Sequence, residues 1–320
     1  MEIHELSQPP TDADVATWTA VLVAVHAADL PGVPAPTLAE TAGRLRVPSP
    51  RVRYALWGSD GGEAVAALLL FTDPANRHTA FLDAFAVRPD ARRRGVGTAL
   101  WQRVRAELLA RGRTSVATLV DLGGPGEAFA RSLGFQNVLP MAWYVQDVPE
   151  DPAEVLVPDT PGYELLTWHG LVPEAWAPAA AVAHGAMEDA PGGELDEQFQ
   201  EWTPERLHAA QQLVLDRGGE VTLVAAVTPA GEVAAYTTLV LPDPGGSRAL
   251  QYDTVVVPAH RGHGLGRAVK QHMLADAVRR HPALRRIGTT VADENTPMRA
   301  VNEALGYRRE RGAGIFQLKL

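Results

Sequence analysis

The feature that most constrains the fold is an internal repeat. The segments FAVRPDARRRGVGTAL, around Arg92, and VVVPAHRGHGLGRAV, around Arg261, share an apolar run, a proline, an arginine- and glycine-rich loop and a helical pattern. Arg92 and Arg261 lie 169 residues apart, and the matching tripeptides that begin at Leu133 and Leu305 lie 172 apart. Because the two offsets nearly agree, the sequence predicts two copies of one domain that differ by a three-residue insertion or deletion.

The repeat divides the 320 residues into a first domain over 1–148, a linker over 149–161 and a second domain over 162–320. A chain of this length exceeds what one core usually serves, and the linker is rich in proline and acidic residues. The predicted class is α+β. In the second copy the patterns predict strands over 163–168, 221–227, 233–241, 250–257, 287–291 and 315–320, and helices over 173–187, from Thr203-Pro204 onward, over 265–279 and over 298–305.

Composition excludes several classes of protein. The absence of cysteine excludes disulfide frameworks, Cys-ligated zinc, iron–sulfur clusters and thiol nucleophiles. The net charge of −9 disfavours a nucleic-acid binder. No stretch approaches the ~20 apolar residues of a membrane span, and MEIHELSQPP lacks the features of a signal peptide. We therefore expect a cytoplasmic protein that binds neither nucleic acid nor membrane.

In each copy an arginine stands three residues before one glycine and five before another. Such a loop can turn its backbone N–H groups into one concavity, where the next helix adds its N-terminal partial charge; this suits a pyrophosphate. Gly97 and Gly266 are not followed by the Lys-Ser/Thr of a P-loop, and neither loop has the dinucleotide pattern G-x-G-x-x-G. The alternative is an ordinary helix-capping turn. The occurrence of the same loop in both copies disfavours that alternative.

Strand, proline, R-x-x-G-x-G and helix together resemble motif A of the GNAT superfamily of N-acetyltransferases. The resemblance covers both halves of the sequence, and their tandem arrangement is similar to that of mycothiol synthase. It implies two GNAT-like domains, each a mixed, mostly antiparallel central sheet flanked by helices, with acetyl-CoA as cosubstrate. The residues implied for pantetheine and thioester are Phe85, Ala86, Val87, Thr254, Val255 and Val256. Those implied for the pyrophosphate are Arg92, Arg93, Arg94, Gly95, Val96, Gly97, Thr98, Arg261, Gly262, His263, Gly264, Leu265, Gly266 and Arg267.

The family's second landmark is an Asn, a Tyr seven residues later, and then Gly-Phe or Gly-Tyr. The second copy has Asn295, assigned to cofactor binding, and Gly306-Tyr307, but Asn302 stands at the Tyr position. The first copy has Gly123 and Ala130 at the Asn and Tyr positions. The resemblance therefore implies a catalytic second copy and a binding or structural first copy. Asn302 is expected to donate a hydrogen bond to the departing sulfur, and the Val256 N–H to meet the oxyanion.

The general base is expected on the strand before the second loop. Leu250 occupies the position that most often carries Glu in the family, so Asp253, the only carboxylate on that strand, is the candidate. Tyr252 and a bound water are rivals, and Asp253 could instead cap a backbone N–H. Asp83 occupies a similar strand in the first copy. Lys270 is expected either as a surface charge or as a contact to the CoA phosphates.

Seven acidic residues and no Lys or Arg occur from Gly185 to Glu205. This segment would form one wall of the acceptor site, with Asp189, Met187 and Tyr252 as expected substrate contacts, and it would attract a cation. A solvated loop is the alternative. The predicted function is transfer of an acetyl group to a primary amine of a small cationic molecule, by a monomer. The alternatives are a non-catalytic acyl-CoA sensor and transfer of a longer acyl chain.

Metal binding is not expected. His260 and His263 are spaced three apart, which could suit a metal ion, but no carboxylate accompanies them locally. Histidines of a solvated loop near phosphate fit this pattern better than metal ligands do.

Overall fold

The computed structural model describes residues 2–50 and 52–320 and contains two compact units. Unit 1 consists of Met1–Pro140, Gly193–Gln198 and Gly312–Leu320, and unit 2 of Met141–Gly192 and Phe199–Arg311. Among the described helices, none is long and apolar enough to cross a membrane.

The first half of the chain forms six strands and four helices in the described residues. They are β1 (Ile3–Glu5), α1 (Asp12–Asp29), α2 (Leu38–Arg46), β2 (Val52–Ser59), β3 (Ala64–Phe71), β4 (Ala80–Val87), α3 (Val96–Ala110), β5 (Ser115–Asp121), α4 (Pro125–Ser132) and β6 (Gln136–Asp147). In unit 1, β1 to β4 pair antiparallel in chain order, and β5 lies parallel to β4.

The second half repeats this order. Its elements are β7 (Glu164–His169), α5 (Ala177–His184), α6 (Pro204–Asp216), β8 (Glu220–Val227), β9 (Val233–Leu241), β10 (Arg248–Val256), α7 (Leu265–Arg280), β11 (Arg286–Ala292), α8 (Thr296–Ala304) and β12 (Arg308–Lys319). In unit 2, β7 to β10 pair antiparallel in chain order, and β11 lies parallel to β10. The predicted fold class is confirmed.

Local sequence explains where the helices begin. Thr11 caps α1 and exchanges hydrogen bonds with Asp14, and Thr37 and Glu40 do the same for α2. Thr203 accepts a hydrogen bond from the Arg206 N–H at the start of α6, so the predicted Thr-Pro helix start is confirmed.

The cores place α3 and α7 against their sheets. Leu100, Val104 and Leu108 of α3 are fully buried, and Val269 and Met273 of α7 are buried likewise. This packing fixes the N-termini of both helices beside the ends of β4 and β10, where the glycine loops lie.

Most predicted elements of the second copy occur within a few residues of their expected bounds. The helix predicted over 173–187 differs, because α5 spans only Ala177–His184 and a 3-10 turn continues over Gly185–Asp189. Pro173 and Pro178 flank its start, and a proline is tolerated only in the first turn of a helix.

The closing strand differs more. Residues 313–319 of β12 pair antiparallel with β5 in unit 1, whereas residues 141–147 of β6 pair with β11 in unit 2. Each unit is therefore completed by a strand from the other half of the sequence. Residues 149–161, predicted as a linker, lie in unit 2, where Val155 packs against the core. The compact units thus do not follow the repeat boundaries, which remain a prediction about the duplication.

Candidate active site

A gap opens between two parallel strands in unit 2. Strands β10 and β11 pair only over residues 248–250 and 286–288, although β10 continues to Val256. On its other edge β10 pairs with β9, where the Val257 N–H donates to the Ala234 carbonyl. Because successive amides of a strand face opposite edges, the Val256 N–H faces the gap. This orientation fits the expected oxyanion contact.

A β-bulge shapes β10 beside the gap. Gln251 pairs with Leu239 and Thr254 with Thr237, so Tyr252 and Asp253 together oppose one residue of β9. Bulges bend a strand and redirect its side chains, and they often occur next to active sites. This one places Asp253 at the mouth of the gap.

The glycine loop leads from β10 into α7. Gly262 and Gly264 have φ of 84° and 73°, in the left-handed region that favours glycine. Gly264 is the N-cap of α7, and no side chain caps this helix start, which is fully described. An added Cβ at Gly264 would meet no other atom within 4 Å. The loop therefore leaves open space before an uncapped helix N-terminus, which suits an anion.

Unit 1 has the same loop conformation. Arg93 and Gly95 have φ of 61° and 84°, at the positions of Gly262 and Gly264, and Gly95 caps α3 without a side-chain hydrogen bond. The Arg93 conformation is strained for a residue with a side chain. The predicted anion geometry is thus present in both units.

The first arginine of each loop is paired with a carboxylate. Arg261 donates from Nε to the Val256 carbonyl at 3.2 Å and from Nη2 to Asp189 at 2.6 Å. Arg92 binds Asp29 through two hydrogen bonds of 2.8 and 2.6 Å and also reaches the Val87 carbonyl. Asp189, expected at the acceptor, therefore holds Arg261 of the glycine loop in this structure.

Asp253 faces a buried histidine and tyrosine. The His184 Nδ1 lies 4.0 Å from the Asp253 carboxylate and is hydrogen-bonded to the Tyr236 hydroxyl. The Asp253 side chain keeps 37% of its surface exposed but is surrounded by protein on most sides, and burial raises its pKa to about 6. Burial lowers the pKa of His184 to about 4, so the imidazole is neutral at pH 7.

Aromatic rings continue from this group. The Trp202 ring centroid lies 4.1 Å from that of His184, and Phe199, which is exposed, stacks at 6.4 Å. Sequence reasoning missed His184, Tyr236 and Trp202. A single histidine ending the apolar stretch of α5 and a single tyrosine in the apolar β9 were the available signals, but each is equally typical of an ordinary core.

A second group of polar side chains lies near the point where β10 and β11 stop pairing. Lys270 is 4% exposed, and its Nζ donates to the Asn302 Oδ1 at 2.6 Å and lies 4.6 Å from the Tyr307 ring centroid. The Tyr307 hydroxyl donates to Gln251, the first residue of β10 beyond the pairing with β11. The expectation that Lys270 is a surface charge or a CoA phosphate contact is wrong, because its position on α7 faces the core.

The other predicted site residues have varied surroundings. Asn295 caps α8 by accepting from the Met298 N–H, and Thr254 hydrogen-bonds Thr237. Tyr252 is exposed, and Met187 lies in the 3-10 turn after α5, partly packed against the core.

The loop histidines contact other side chains. His260 is half-buried against the Tyr163 hydroxyl, and His263 Nδ1 lies within hydrogen-bond distance of the His260 and Arg261 carbonyls. In the described part of the chain no cluster of His, Asp or Glu could hold a metal ion.

The profile of the Acetyltransferase (GNAT) family matches residues 24–135 and 186–307, which together make up most of the sequence. The chain belongs to the GNAT acetyltransferase family. The two matched regions lie one in each copy, so the tandem arrangement expected from the repeat is also confirmed.

Solved structures share this GNAT architecture. A tandem GNAT protein from the clavulanic acid biosynthesis pathway is 27% identical, with a TM-score of 0.83 over 99% of this chain and 98% of that one. A GCN5-related N-acetyltransferase from Sphaerobacter thermophilus, 16% identical with a TM-score of 0.67 over 99% and 95%, shares the fold.

A curated relative matches one region only. N-alpha-acetyltransferase 40 of Saccharomyces cerevisiae is 42% identical over 69 residues, which are 19% of this chain and 24% of that protein. The match thus spans about a quarter of the relative's own length. Membership of the GNAT family identifies this protein as an acyltransferase enzyme.

Proposed function

We propose that the protein transfers an acetyl group from acetyl-CoA to a primary amine of a small cationic molecule, and that unit 2 performs the reaction. The observation that carries this proposal is Asp253, a carboxylate with raised pKa placed by a bulge at the mouth of the strand gap. GNAT proteins in general use acetyl-CoA, and the residues present fit that substrate.

Three features of unit 2 suit acetyl-CoA. The uncapped start of α7 and the loop amides of Gly262 to Gly266 can hold the pyrophosphate. The edge of β10 that β11 leaves unpaired offers amides and carbonyls to the pantetheine arm. Gly266 allows the helix to approach the strand, because an added Cβ would lie 3.3 Å from a Val256 methyl carbon.

Asp253 is suited to act as the base. At pH 7 the protonated form of an alkylamine of pKa ~10.4 is favoured over the neutral amine by about 5 kcal/mol, so the acceptor must lose a proton. Asp253, with a pKa of about 6, is mostly ionised at pH 7 yet accepts a proton more readily than an ordinary Asp. The amine nitrogen then bonds to the acetyl carbonyl carbon, the carbon–sulfur bond breaks, and its electron pair leaves on the CoA thiolate. The nitrogen gives its second proton to solvent as the neutral amide forms. The Val256 N–H stabilises the oxyanion formed in between.

The surroundings of Asp253 favour a cationic acceptor. Its carboxylate supplies the negative charge, and the neighbouring rings of Phe199 and Trp202 offer faces to an ammonium group. His184 adds no opposing positive charge because it is neutral at pH 7.

The absence of a tyrosine at position 302 favours one alternative, an acyl-CoA-binding protein without turnover. The test is thiol release from acetyl-CoA with a panel of polyamines, amino sugars and aminoglycosides, beside calorimetric binding of acetyl-CoA. We expect turnover with at least one amine, and longer acyl-CoA thioesters are run in parallel. Binding of acetyl-CoA with no release across the panel would support the binding protein instead.

A further inference from the structure

Three neighbouring positions differ in character between the two units. Lys270, Asn302 and Tyr307 of unit 2 correspond in the repeat to Trp101, Ala130 and Phe135 of unit 1. In unit 1 the three are buried and apolar, with the Trp101 and Phe135 rings in edge contact at 5.4 Å. Unit 2 carries a buried ammonium group, an amide and a phenol in the same places. The fold itself therefore does not require polar groups here.

The hydrogen bonds fix the direction of the Asn302 amide. A lysine ammonium only donates, so the Asn302 atom that faces Lys270 must be the oxygen, at 2.6 Å from Nζ. The Asn302 Nδ2 must then point away from Lys270. Asn302 is fully buried, and its Nδ2 has no hydrogen-bond partner among the described residues. A buried donor without an acceptor is unfavourable and indicates a missing partner.

The Lys270 charge also lacks a counter-charge in the described residues. Its contacts are the neutral Asn302 amide and the ring of Tyr307, the titratable group that faces it from the turn before β12. Burial raises the pKa of Tyr307 far above its usual range, so this hydroxyl stays neutral and donates to Gln251. An isolated buried ammonium is costly, and a nearby anion would compensate it.

One anion can accept from the Asn302 Nδ2, on the side away from Lys270, and still offset the ammonium charge across the amide. The hydrogen bond from Tyr307 to Gln251 links these side chains to the point where β10 and β11 separate. The gap that begins there is the one proposed above for the pantetheine arm. The sulfur at the end of that arm becomes an anion when the acyl group departs. We propose that Lys270 is a positioning residue for the leaving thiolate: it orients Asn302 so that Nδ2 donates to the CoA sulfur, and its ammonium charge stabilises the anion formed.

This inference rests on the proposed use of acetyl-CoA. Asn302 is not required to lose a proton, since the sulfur keeps the electron pair of the broken bond and is protonated later by solvent. Burial lowers the pKa of Lys270 to about 7, and a bound thiolate would raise it again, because a nearby opposite charge favours the charged form.

The test titrates the thiol of bound CoA. Thiolate formation is followed by ultraviolet absorbance with wild-type protein, with desulfo-CoA as the blank, and compared with Lys270→Met and with the matched Trp101→Met variant of unit 1. A free thiol has a pKa of ~8.5. We expect it to fall by at least about one unit in wild type and in Trp101→Met, and to return toward the free value in Lys270→Met.

The outcomes separate the two proposals. Failure of CoA to bind at all would overturn both the proposed function and this inference. CoA that binds with the same thiol pKa in wild type and Lys270→Met would overturn the inference alone.

Steady-state kinetics supply a second readout. We expect Lys270→Met to lower kcat roughly tenfold or more while the KM for acetyl-CoA changes less than about twofold, since the thiolate forms only during the reaction. A variant with normal circular dichroism and unchanged kcat would also overturn the role of Lys270.

Discussion

The two units place an aspartate in the same strand bulge but surround it differently. In unit 1 the bulge residue is Asp83, because Ala84 pairs with Ala67 while Leu82 pairs with Leu68. Arg44 of α2 binds both Asp83 oxygens. When the two glycine loops are aligned, Asp253 of unit 2 lies one position later in its strand than Asp83 does in unit 1. Its neighbour His184 is neutral. The Asp83 carboxylate is neutralised by Arg44, whereas the Asp253 carboxylate remains available to act as a base.

The loops do not differ in this way. Both have left-handed residues at the same two positions and an uncapped helix start, even where unit 1 must accept strain at Arg93. The duplication has therefore kept the backbone geometry of an anion site while the side chains that could perform chemistry diverged. In unit 1 the Phe129 ring also stacks on Phe85 and lies 3.4 Å from the Cβ position of Gly97, beside the end of β4.

The largest difference in activity between the two units is expected at the glycine loops. Gly264→Glu places a carboxylate where we expect a pyrophosphate, and Gly95→Glu does the same in unit 1 with similar strain, because both residues have positive φ. We expect Gly264→Glu to lower kcat/KM for acetyl-CoA at least about a hundredfold and Gly95→Glu to retain most of the activity. Equal losses in two folded variants would assign the chemistry to both units.

Replacing the bulge carboxylate of each unit by an amide tests which aspartate acts as the base. We expect Asp253→Asn to lower kcat/KM by about 10²-fold or more. In wild type the rate should rise with pH through about 6, as Asp253 loses its proton, and then level off. The variant should lack that rise.

Asp83→Asn is the matched control for Asp253→Asn. It should keep the pH profile and lose roughly 1–3 kcal/mol of stability, because the Asp83 side chain is buried while its partner Arg44 is largely exposed. A pH profile that is unchanged in Asp253→Asn would reject Asp253 as the base.

A smaller effect is expected on the pH dependence of stability, because unit 2 has a buried lysine where unit 1 has a tryptophan. The folded-state pKa of Lys270 is about 7 and its ordinary value is 10.5, so between these values the unfolded chain binds a proton that the folded chain does not. Stability therefore rises with pH, by about 2 kcal/mol from pH 7 to 9. Urea unfolding of wild type against Lys270→Met measures this. Parallel pH dependences in the two proteins would contradict a buried charge.

The smallest expected effect distinguishes two roles for Asp189. If it braces Arg261 and the loop, Asp189→Asn raises the KM for acetyl-CoA by a few-fold, since the pair is about half exposed and contributes roughly 1 kcal/mol at most. Asp29→Asn is the matched change in unit 1. A rise confined to the KM of the acceptor would restore the substrate contact predicted from sequence.

Local patterns predicted much of this molecule. The repeated segments and the loop glycines each act over a few residues, so their local structure can be predicted from adjacent positions. The family and the tandem arrangement followed from them. The Thr203 cap is of the same kind.

What escaped prediction depends on long-range packing. Asp253 was found because it is the only acid on its strand, but its bulge depends on the pairing with β9, and its neighbour His184 lies 69 residues earlier in the sequence. Lys270 follows Ala268 and Val269 in a helix, and only the packing of α7 on the sheet shows that it is buried. The exchange of β6 and β12 leaves no mark in the local pattern, since a strand has the same alternation whichever neighbour it pairs with.

That exchange has a consequence for synthesis. The ribosome releases β5 long before it produces residues 313–319, which cover that strand's open edge. During this interval the first half carries an unsatisfied row of backbone donors and acceptors, a template on which another nascent chain could add. Cutting the gene at the repeat boundary would make this condition permanent, so the two halves should be produced together or joined in a new order that keeps both strands.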